Sequence, residues 1–350
     1  MDDLKAVPLE QPWYPAYRDF VGKHRQSMLY HTLQYRALLA DLLGAEDHYL
    51  LAVDPAQRVR GILPLLAKDG PLGKVYNSLP YYGSNGAILA DGPEAFAFLL
   101  ARYNAVAGAE DTAAATLVSN PLLADDDYAG LARTATDYRI GQFTSLAYDD
   151  DHQAQLMSSF HYKTRNMVRR AQKEGVSIEV DNGAIPFLRD VHKENMAAIG
   201  GKAKADLFFE LFPRHYQAGA DYQVYLGRFA GEPICALLLF YHNDTVEYYT
   251  PVIKAEHRNK QPLSLAIFRA MGDAAAAGYK RWNWGGTWPS QEGVHRFKKR
   301  WGSADVRYHY YSQINNREIV RSSREALGAH YENFFVIPFD QLAESKTPNQ

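Results

Sequence analysis

The sequence predicts a mixed α/β fold divided into two domains, and three observations support this prediction. The chain has 350 residues, which is longer than most single domains. Segments with the period of a strand alternate with segments with the period of a helix along nearly the whole chain. The two halves also share one order of elements, namely a strand hairpin, a further extended segment, a helix, a strand, a helix and a strand. This repeat places the boundary near residue 150.

The first half is predicted to begin with helices and a pair of strands. Residues 31–43 have the pattern of a helix that ends at Gly44, because glycine favours the left-handed conformation that follows many helices. Residues 47–53 and 59–67 have the composition of two strands joined by a turn. A glycine-rich loop, residues 79–89, precedes the next helix.

The second half is predicted to open with one long helix, residues 152–174. Its apolar and small residues recur at helical spacing on one face: Met157, Phe160, Thr164, Val168 and Ala171. Three strands are predicted at residues 222–230, 233–242 and 246–252. A helix at residues 262–277 then leads to a strand at residues 279–284.

Composition restricts the class of protein. Hydrophobic residues make up 47% of the chain and charged residues 22%, as in a globular protein with a sizeable core. The formal net charge of -2 and the isoelectric point near 6.6 argue against binding nucleic acid through bulk charge, so any recognition of anions is local. The single cysteine, Cys235, excludes an internal disulfide and a multi-cysteine metal site, and it is predicted to be a core residue.

Neither a secretory signal nor a membrane-spanning segment is predicted from the sequence. The N-terminus MDDLKAVPLEQPW has no apolar stretch. The longest apolar run, residues 234–241, is far shorter than the ~20 residues that span a bilayer. The histidines at positions 242, 257, 295 and 309 lack the spacing of metal ligands. We therefore expect a cytoplasmic protein with no metal site and no permanently bound cofactor.

Cations are concentrated in the predicted helix that opens the second half. Five of them precede the first acid, Glu174: Lys163, Arg165, Arg169, Arg170 and Lys173. Arg165 and Arg169 are four residues apart and hence neighbours on one helical face, where like charges cost stability unless an anion neutralises them. An ordinary solvated helix would also have this pattern, but the pattern favours recognition of an anionic ligand.

The segment WNWGGTWPSQEGVHRFKKRWG, residues 282–302, combines four tryptophans, four glycines and a run of cations. Gly285 and Gly286 follow the predicted strand, and glycines there let the backbone approach a ligand because no Cβ intervenes. Arg296 and Lys298 come soon after. Arginine can bind phosphate through its planar fork and lysine as a point charge. The alternative is a tight turn followed by a solvated basic helix.

Three segments together carry a family resemblance. The last segment, residues 282–302, matches a family pattern that consists of a strand, a glycine-rich turn, an aromatic–Phe–Lys pair and a Trp-Gly. The matching residues are Trp284-Gly285-Gly286, Arg296-Phe297-Lys298 and Trp301-Gly302. The others are the basic segment KTRNMVRRAQKEGV and the stretch GILPLLAKDGPLGKVYNSLPYYGSNGAIL, with a G-x-L-P-L hairpin, S-L-P and an aromatic-glycine loop. In this order, over about residues 30–312, they resemble the FemAB-like branch of the GNAT acyltransferase superfamily.

The resemblance implies two tandem GNAT-like domains and an acyltransferase. Residues 1–150 would form the domain on the acceptor side, residues 151–338 the domain on the donor side, and residues 339–350 a polar tail. Fem-type enzymes move an amino acid from aminoacyl-tRNA to an amine of a peptidoglycan precursor, and relatives act in exopolysaccharide and natural-product pathways. Lys298, the lysine of the Phe-Lys pair, is expected to be catalytic by contacting donor phosphate or the developing charge. The expected substrate-binding residues are Lys163, Arg165, Arg169, Arg258, Gly285, Gly286, Arg296, Tyr82 and Trp284.

Two departures from family patterns bear on the substrates. GNAT enzymes that use acyl-CoA carry Q/R-x-x-G-x-G/A where this chain has HRNKQPLSLAIF, residues 257–268, which lacks glycine, although Arg258 and Lys260 could still hold phosphate. Fem ligases of peptidoglycan tend to have Asp-Pro where this chain has Asn120-Pro121.

We therefore expect aminoacyl-tRNA as the co-substrate. The expected acceptor is an anionic amine-bearing small molecule or glycan precursor of the cell envelope, of polysaccharide or of a natural product. One alternative is an acyl-CoA-dependent N-acyltransferase of polysaccharide or sugar-nucleotide metabolism. The other is a catalytically silent tandem GNAT protein that only binds ligands.

Overall fold

The structure is a computed structural model that describes residues 4–81, 86–123, 128–148 and 151–343. The chain divides into two compact units: unit 1 comprises residues 1–139 and 307–350, and unit 2 comprises residues 140–306. The sequence places a boundary near residue 150 and keeps residues 151–338 together. In the structure, residues 307–350 belong to unit 1, because residues 310–314 pair with a strand of that unit.

Helices are distributed over both units. In chain order they are α1 (Tyr14–Lys23), α2 (Leu33–Leu43), α3 (Pro93–Ala107), α4 (His152–Ser159), α5 (Tyr162–Lys173), α6 (Ile185–Ala197), α7 (Asp206–His215), α8 (Pro262–Ala276), α9 (Glu292–Lys299), α10 (Glu318–Arg321) and α11 (Arg324–His330). The helix α2 ends at Gly44 with a left-handed backbone (φ 56°), so the predicted end of this helix is confirmed. No helix in the described part of the chain is long and apolar enough to cross a membrane.

The strands of unit 1 come first in the chain. They are β1 (Lys5–Pro8), β2 (Glu46–Asp47), β3 (Leu50–Val53), β4 (Val59–Leu63), β5 (Leu66–Lys68), β6 (Lys74–Asn77), β7 (Leu89–Ala90) and β8 (Thr112–Val118). One sheet has the order β1-β3-β4-β7, and in the other β8, β6, β5 and β2 are successive neighbours. The helix α3 covers an apolar core of this unit that includes Leu99 and Tyr103.

The chain enters unit 2 within β9 (Ala135–Ser145) and leaves it within β15 (Ala304–Ile314). Between them lie β10 (Ser177–Val180), β11 (Tyr222–Phe229), β12 (Glu232–His242), β13 (Thr245–Ile253) and β14 (Arg281–Thr287). The strand order is β10-β11-β12-β13-β14-β9. Neighbouring strands are antiparallel except β13 and β14, which are parallel and are joined through α8. The predicted α/β class is confirmed.

Helices cover both faces of this sheet. Successive residues of a strand point to opposite sides, so neighbouring residues of one strand contact different helices. Leu239 of β12 belongs to the apolar cluster that includes residues of α4, α5 and α8. The next residue, Phe240, contacts Phe212 of α7 instead, with ring centroids 5.7 Å apart. The buried Cys235 lies in the same strand, as predicted for a core residue, and burial raises the pKa of its thiol to about 12.

The structure corrects the single helix predicted at residues 152–174. Two helices, α4 and α5, are separated at Phe160, whose backbone is extended (ψ 147°), and at His161, which caps α5 by accepting a hydrogen bond from the backbone N–H of Lys163. The ring of Phe160 is buried edge-on against Trp301, with centroids 5.0 Å apart. Burial of this ring stabilises the break, which helical periodicity alone does not reveal.

Candidate functional site

Two parallel strands separate inside the sheet of unit 2. Both β13 and β14 are described in full, and their common register is limited to the pairs Thr245–Arg281, Val246–Trp282 and Glu247–Asn283. Beyond the last pair, β13 continues for six residues to Ile253 and β14 for four residues to Thr287 without pairing with each other. The two ends therefore form no ladder of backbone hydrogen bonds with each other.

A β-bulge lies beside each of the separating ends. In β13, Tyr249 is the extra residue of the bulge, because Tyr248 and Thr250 face two consecutive residues of β12. In β14, Trp284 and Gly285 together face one residue of β9, Gln142. A bulge bends its strand and increases the local twist. The two bulges therefore explain why β13 and β14 diverge at this point.

Gly285 adopts a backbone conformation that disfavours other residues, with φ at 70°. A Cβ placed on it would meet no atom within 4 Å, so the position requires glycine for its backbone angle and not for lack of space. The N–H of Gly285 donates a hydrogen bond to Asn283 Oδ1 at 2.9 Å. The glycine predicted at the strand end is thus the residue at which the strand turns away.

Lys298 of α9 points at this strand end. Its side chain is buried, with 6% exposed, and Nζ donates to the carbonyl oxygens of Gly285 and Gly286 at 3.2 Å each and to Thr287 Oγ1 at 2.7 Å. An ammonium has three N–H donors, so these oxygens satisfy it. Burial lowers the pKa of Lys298 to about 8. The ammonium therefore acts directly on the strand end, and any contact with a donor is made from this buried position.

A buried network of hydrogen bonds connects Lys298 to neighbouring elements. Thr287 Oγ1, which accepts from Lys298, donates to Gln142 Oε1 at 3.4 Å. Gln142 Nε2 in turn donates to the carbonyl of His295 and to Ser303 Oγ, both at 3.2 Å. The side chains of Thr287 and Gln142 are fully buried. The network links β14, β9 and α9, so the lysine is held in one position.

Aromatic rings form the support of the site. Trp284, predicted to bind substrate, is buried and donates from Nε1 to Thr144 Oγ1 at 2.9 Å. Its ring lies 4.9 Å from that of Tyr248 and 5.8 Å from that of Trp301. Phe297, which precedes Lys298, packs edge-on against it at 6.1 Å. In this structure Trp284 belongs to the core that fixes the strand end and the lysine.

The two basic segments found in the sequence meet in space. The backbone N–H of His161 and the hydroxyl of Thr164 both donate to the carbonyl of Arg300, at 2.9 and 3.1 Å, so the start of α5 adjoins the end of α9. At the other end of α5, Glu174 pairs with Lys260 at 3.0 Å, in the turn before α8. The helix α5 therefore extends from the Lys298 helix to the start of α8.

The predicted cations of α5 differ in their surroundings. Lys163 and Arg169 are exposed, and neither forms an ion pair with a described residue. Arg165 is half-buried, and its guanidinium donates to the carbonyl of Phe160 at 2.5 Å. Arg170, also exposed, lies 3.8 Å from Glu174. Lys163 and Arg169 are therefore the members of this set best placed to meet an external anion.

The remaining predicted residues lie around the site. Arg258 is exposed in the turn before α8, and its guanidinium forms no ion pair with a described residue. Arg296 is exposed on α9 and lies 3.9 Å from Glu292. Gly286 pairs with Gly141 across β14 and β9. Tyr82 lies outside the described residues. Within residues 4–81, 86–123, 128–148 and 151–343, no group of three or more His, Cys, Asp or Glu side chains is placed to hold a metal ion.

Sequence reasoning missed two buried polar residues beside the bulge, Glu247 and Asn283. Glu247 is the one acid in the apolar strand TVEYYTPVI, and Asn283 stands between two tryptophans. A polar residue in a stretch otherwise typical of a buried strand is the signal that could have revealed them. Their contact, Asn283 Nδ2 to Glu247 Oε2 at 2.8 Å, joins β13 and β14 where their register ends.

Residues 158–299 match the family described as Acetyltransferase (GNAT) domain. The crystal structure of FemX superposes with a TM-score of 0.71 at 16% sequence identity, covering 90% of this chain and 98% of that chain.

Two further structures share the fold. The C-terminal domain of a proposed lysylphosphatidylglycerol synthetase from Agrobacterium fabrum has a TM-score of 0.58 at 12% identity, covering 93% and 98% of the two chains. A conserved protein of unknown function from Bacteroides thetaiotaomicron has a TM-score of 0.57 at 10% identity, covering 89% and 100%. No curated protein matches the chain by sequence. Residues 158–299 therefore match the model of a GNAT acetyltransferase domain, and they lie within a chain that has the fold of FemX.

Proposed function

We propose that this protein is an acyltransferase of the GNAT superfamily and that it moves an aminoacyl group from aminoacyl-tRNA to an amine of a cell-envelope, polysaccharide or natural-product precursor. The observation that carries the proposal is the strand end at Gly285 and Gly286, which is held by the buried Lys298 where β13 and β14 separate. Such an end offers a fixed, water-poor surface on which a donor ester can lie, and its geometry does not have to form anew in each turnover.

Direct transfer to an amine needs a neutral amine, a stabilised tetrahedral oxyanion and a proton for the leaving group. In GNAT-type folds the donor carbonyl docks between the two separating strands, where backbone N–H groups stabilise the oxyanion. No covalent intermediate is needed. The one thiol of the chain, Cys235, is buried in β12, and its pKa is raised to about 12, so it is unsuited to act as a nucleophile.

The start of α8 argues against CoA as the donor. Gln261 occupies the left-handed position (φ 58°) before this helix, and Pro262 follows as its first residue. Proline has no N–H, so the helix start lacks one backbone donor for a pyrophosphate. The ammonium of Lys260 lies over the ring of Phe229 at 4.0 Å and pairs with Glu174. Arg258 is thus the one exposed cation of this turn that remains for phosphate.

The exposed cations of α5 favour a larger polyanion. Lys163, Arg169 and Lys173 are exposed on one helix between the Lys298 helix and the start of α8. They can meet several phosphates of a nucleic-acid strand, whereas the pyrophosphate of CoA can occupy one site only. The leaving group of an aminoacyl-tRNA is a ribose oxygen, and the positive charge of Lys298 near the strand end would stabilise the charge that develops on it.

A binding experiment with two classes of ligand separates the proposal from its alternatives. Isothermal calorimetry measures binding of CoA and acetyl-CoA, and filter binding measures charged and uncharged tRNA at the same ionic strength. We expect charged tRNA to bind and CoA to show no saturable heat. Binding of CoA without binding of tRNA would assign an acyl-CoA donor. Binding without transfer to any amine would indicate a silent binding protein.

The salt dependence of tRNA binding tests the role of α5. Replacing Lys163 and Arg169 together by alanine should weaken binding and reduce the slope of log K against log[salt] by about 0.7 for each phosphate contact that is lost. Filter binding between 50 and 200 mM salt measures this slope; these are roughly the conditions over which such contacts matter. The matched control replaces Lys193 and Arg214, on α6 and α7, and removes the same charge. Equal slopes in the wild type and the α5 variant would mean that the helix is merely solvated.

A further inference from the structure

We infer that Glu247 and Asn283 are positioning residues of the acyl-transfer site: together they hold the N–H of Gly285, while Lys298 holds its carbonyl. The inference depends on the proposed function for the role of the strand end in transfer. The arrangement itself can be tested without any substrate.

Glu247 is a carboxylate inside the sheet. Its side chain is 2% exposed, and it lies in the last pair of residues that β13 and β14 share. A buried carboxylate is costly unless it is hydrogen-bonded. Asn283, which is also fully buried, donates from Nδ2 to Glu247 Oε2 at 2.8 Å. The pair thus marks the point from which the two strands diverge.

The carboxylate determines which way the Asn283 amide points. Glu247 accepts a hydrogen bond through Oε2, so the amide turns its NH₂ group toward Glu247. Its oxygen then faces the opposite direction, where it accepts from the N–H of Gly285 at 2.9 Å. A flipped amide would bring two oxygens together at Glu247 and two donors together at Gly285. Glu247 therefore fixes the N–H of Gly285 through Asn283.

Lys298 fixes the other side of the same residue. Its ammonium binds the carbonyl of Gly285 and that of Gly286, each at 3.2 Å. Both backbone polar groups of Gly285 are thus held by buried side chains, at a left-handed φ of 70°. Sparsely populated backbone conformations persist where the surroundings over-determine them. Asn283, which Glu247 orients, and Lys298 thus hold the two peptide groups on either side of the Gly285 Cα and keep the bulge in place.

The rate at which the Gly285 amide proton exchanges with solvent measures the strength of its hydrogen bond to Asn283. In a protein labelled with ¹³C-carbonyl tryptophan and ¹⁵N-glycine, only glycines that follow tryptophan give a correlated signal, and these are Gly285 and Gly302. The N–H of Gly302 donates to the carbonyl of Lys299, so it serves as an internal control. We expect Asn283→Leu to speed exchange at Gly285 about tenfold, because it removes the acceptor, and to leave Gly302 unchanged.

A matched variant controls for general loosening of β13. Asn195 binds both backbone groups of Ile253, the last residue of that strand, so Asn195→Leu removes a comparable contact that does not involve Gly285. It should leave the exchange of Gly285 unchanged. If Asn283→Leu does not fold, Glu247→Gln decides the matter. Glutamine keeps the size of the side chain but no longer dictates the direction of the amide, so exchange at Gly285 should rise severalfold.

A Gly285 exchange rate that is equal to the wild type in both variants would overturn the inference. The measurement uses no donor, so failure of tRNA to bind would count against the proposed function alone.

Discussion

Lys298→Met is expected to lower transfer by tenfold or more, which corresponds to ~1.4 kcal/mol of transition-state stabilisation for each factor of ten. Methionine fills a similar volume but donates no hydrogen bond. The carbonyls of Gly285 and Gly286 and the hydroxyl of Thr287 would lose their common donor. The strand end would then no longer be fixed, and the positive charge beside the leaving group would be absent. Single-turnover transfer from charged tRNA measures the loss.

The neighbouring lysine supplies the matched control. Lys299 is exposed on α9 and pairs with Asp305 at 3.2 Å, so Lys299→Met removes the same charge without touching the strand end. We expect transfer by this variant to stay within about twofold of the wild type, as is usual for exposed ion pairs that contribute little. Equal losses in the two variants would mean that only the summed charge of α9 matters. No loss in either would contradict a role for Lys298.

The pKa of Lys298 also predicts how stability depends on pH. The folded-state pKa, about 8, lies below the ordinary value of 10.5. Between these values the unfolded chain holds more protons on this lysine than the folded chain does, so the free energy of unfolding rises with pH. The slope is at most ~1.4 kcal/mol per pH unit for one proton. Chemical denaturation between pH 8 and pH 10.5 measures it. Lys298→Met should lack this contribution, and an identical pH dependence in both proteins would be incompatible with a depressed pKa.

Most of the elements of unit 2 could be predicted from the sequence because local periodicity determines them. The predicted strands at residues 233–242 and 246–252 are β12 and β13, and the helix predicted at residues 262–277 is α8. The prediction of one long helix at residues 152–174 was wrong. The break between the two helices depends on the contact of Phe160 with Trp301, which is far away in the chain. Contacts of this kind leave no local pattern.

The site itself was predictable only in part, and Lys298 shows why. Lysines are almost never fully buried unless they are paired, so a sequence pattern places them in solvent. The oxygens that satisfy Lys298 are supplied by Gly285, Gly286 and Thr287, and their position depends on a bulge between β14 and β9. Strand register and bulges are set by pairing across the sheet, which one sequence does not show. The glycines and the lysine were identified, but their contact was not.

Gly286→Val is expected to reduce turnover by at least about a hundredfold while the protein stays folded. Gly286 lies in β14 just past the bulge, opposite Gly141 of β9. A valine there adds a branched side chain at the strand end where β13 and β14 have separated. The facing residue, Gly141, has no side chain, so the valine does not clash across the ladder and the protein can still fold. The carbonyl of Gly286 binds Lys298, so a displaced strand end would also displace the ammonium. Misplacement by about 1 Å can cost 10²-fold in rate.

Two glycine variants make this last test selective. Gly293→Val adds the same side chain on α9, where a Cβ would meet nothing within 4 Å, and it should retain activity. Gly285→Ala should instead lower stability by about 1 kcal/mol, because its φ of 70° is strained for alanine. Thermal unfolding and single-turnover transfer, measured on all three variants, distinguish loss of fold from loss of chemistry. If a folded Gly286→Val protein transferred at the wild-type rate, a donor could not lie against this strand end, and the site would have to be sought elsewhere in the domain.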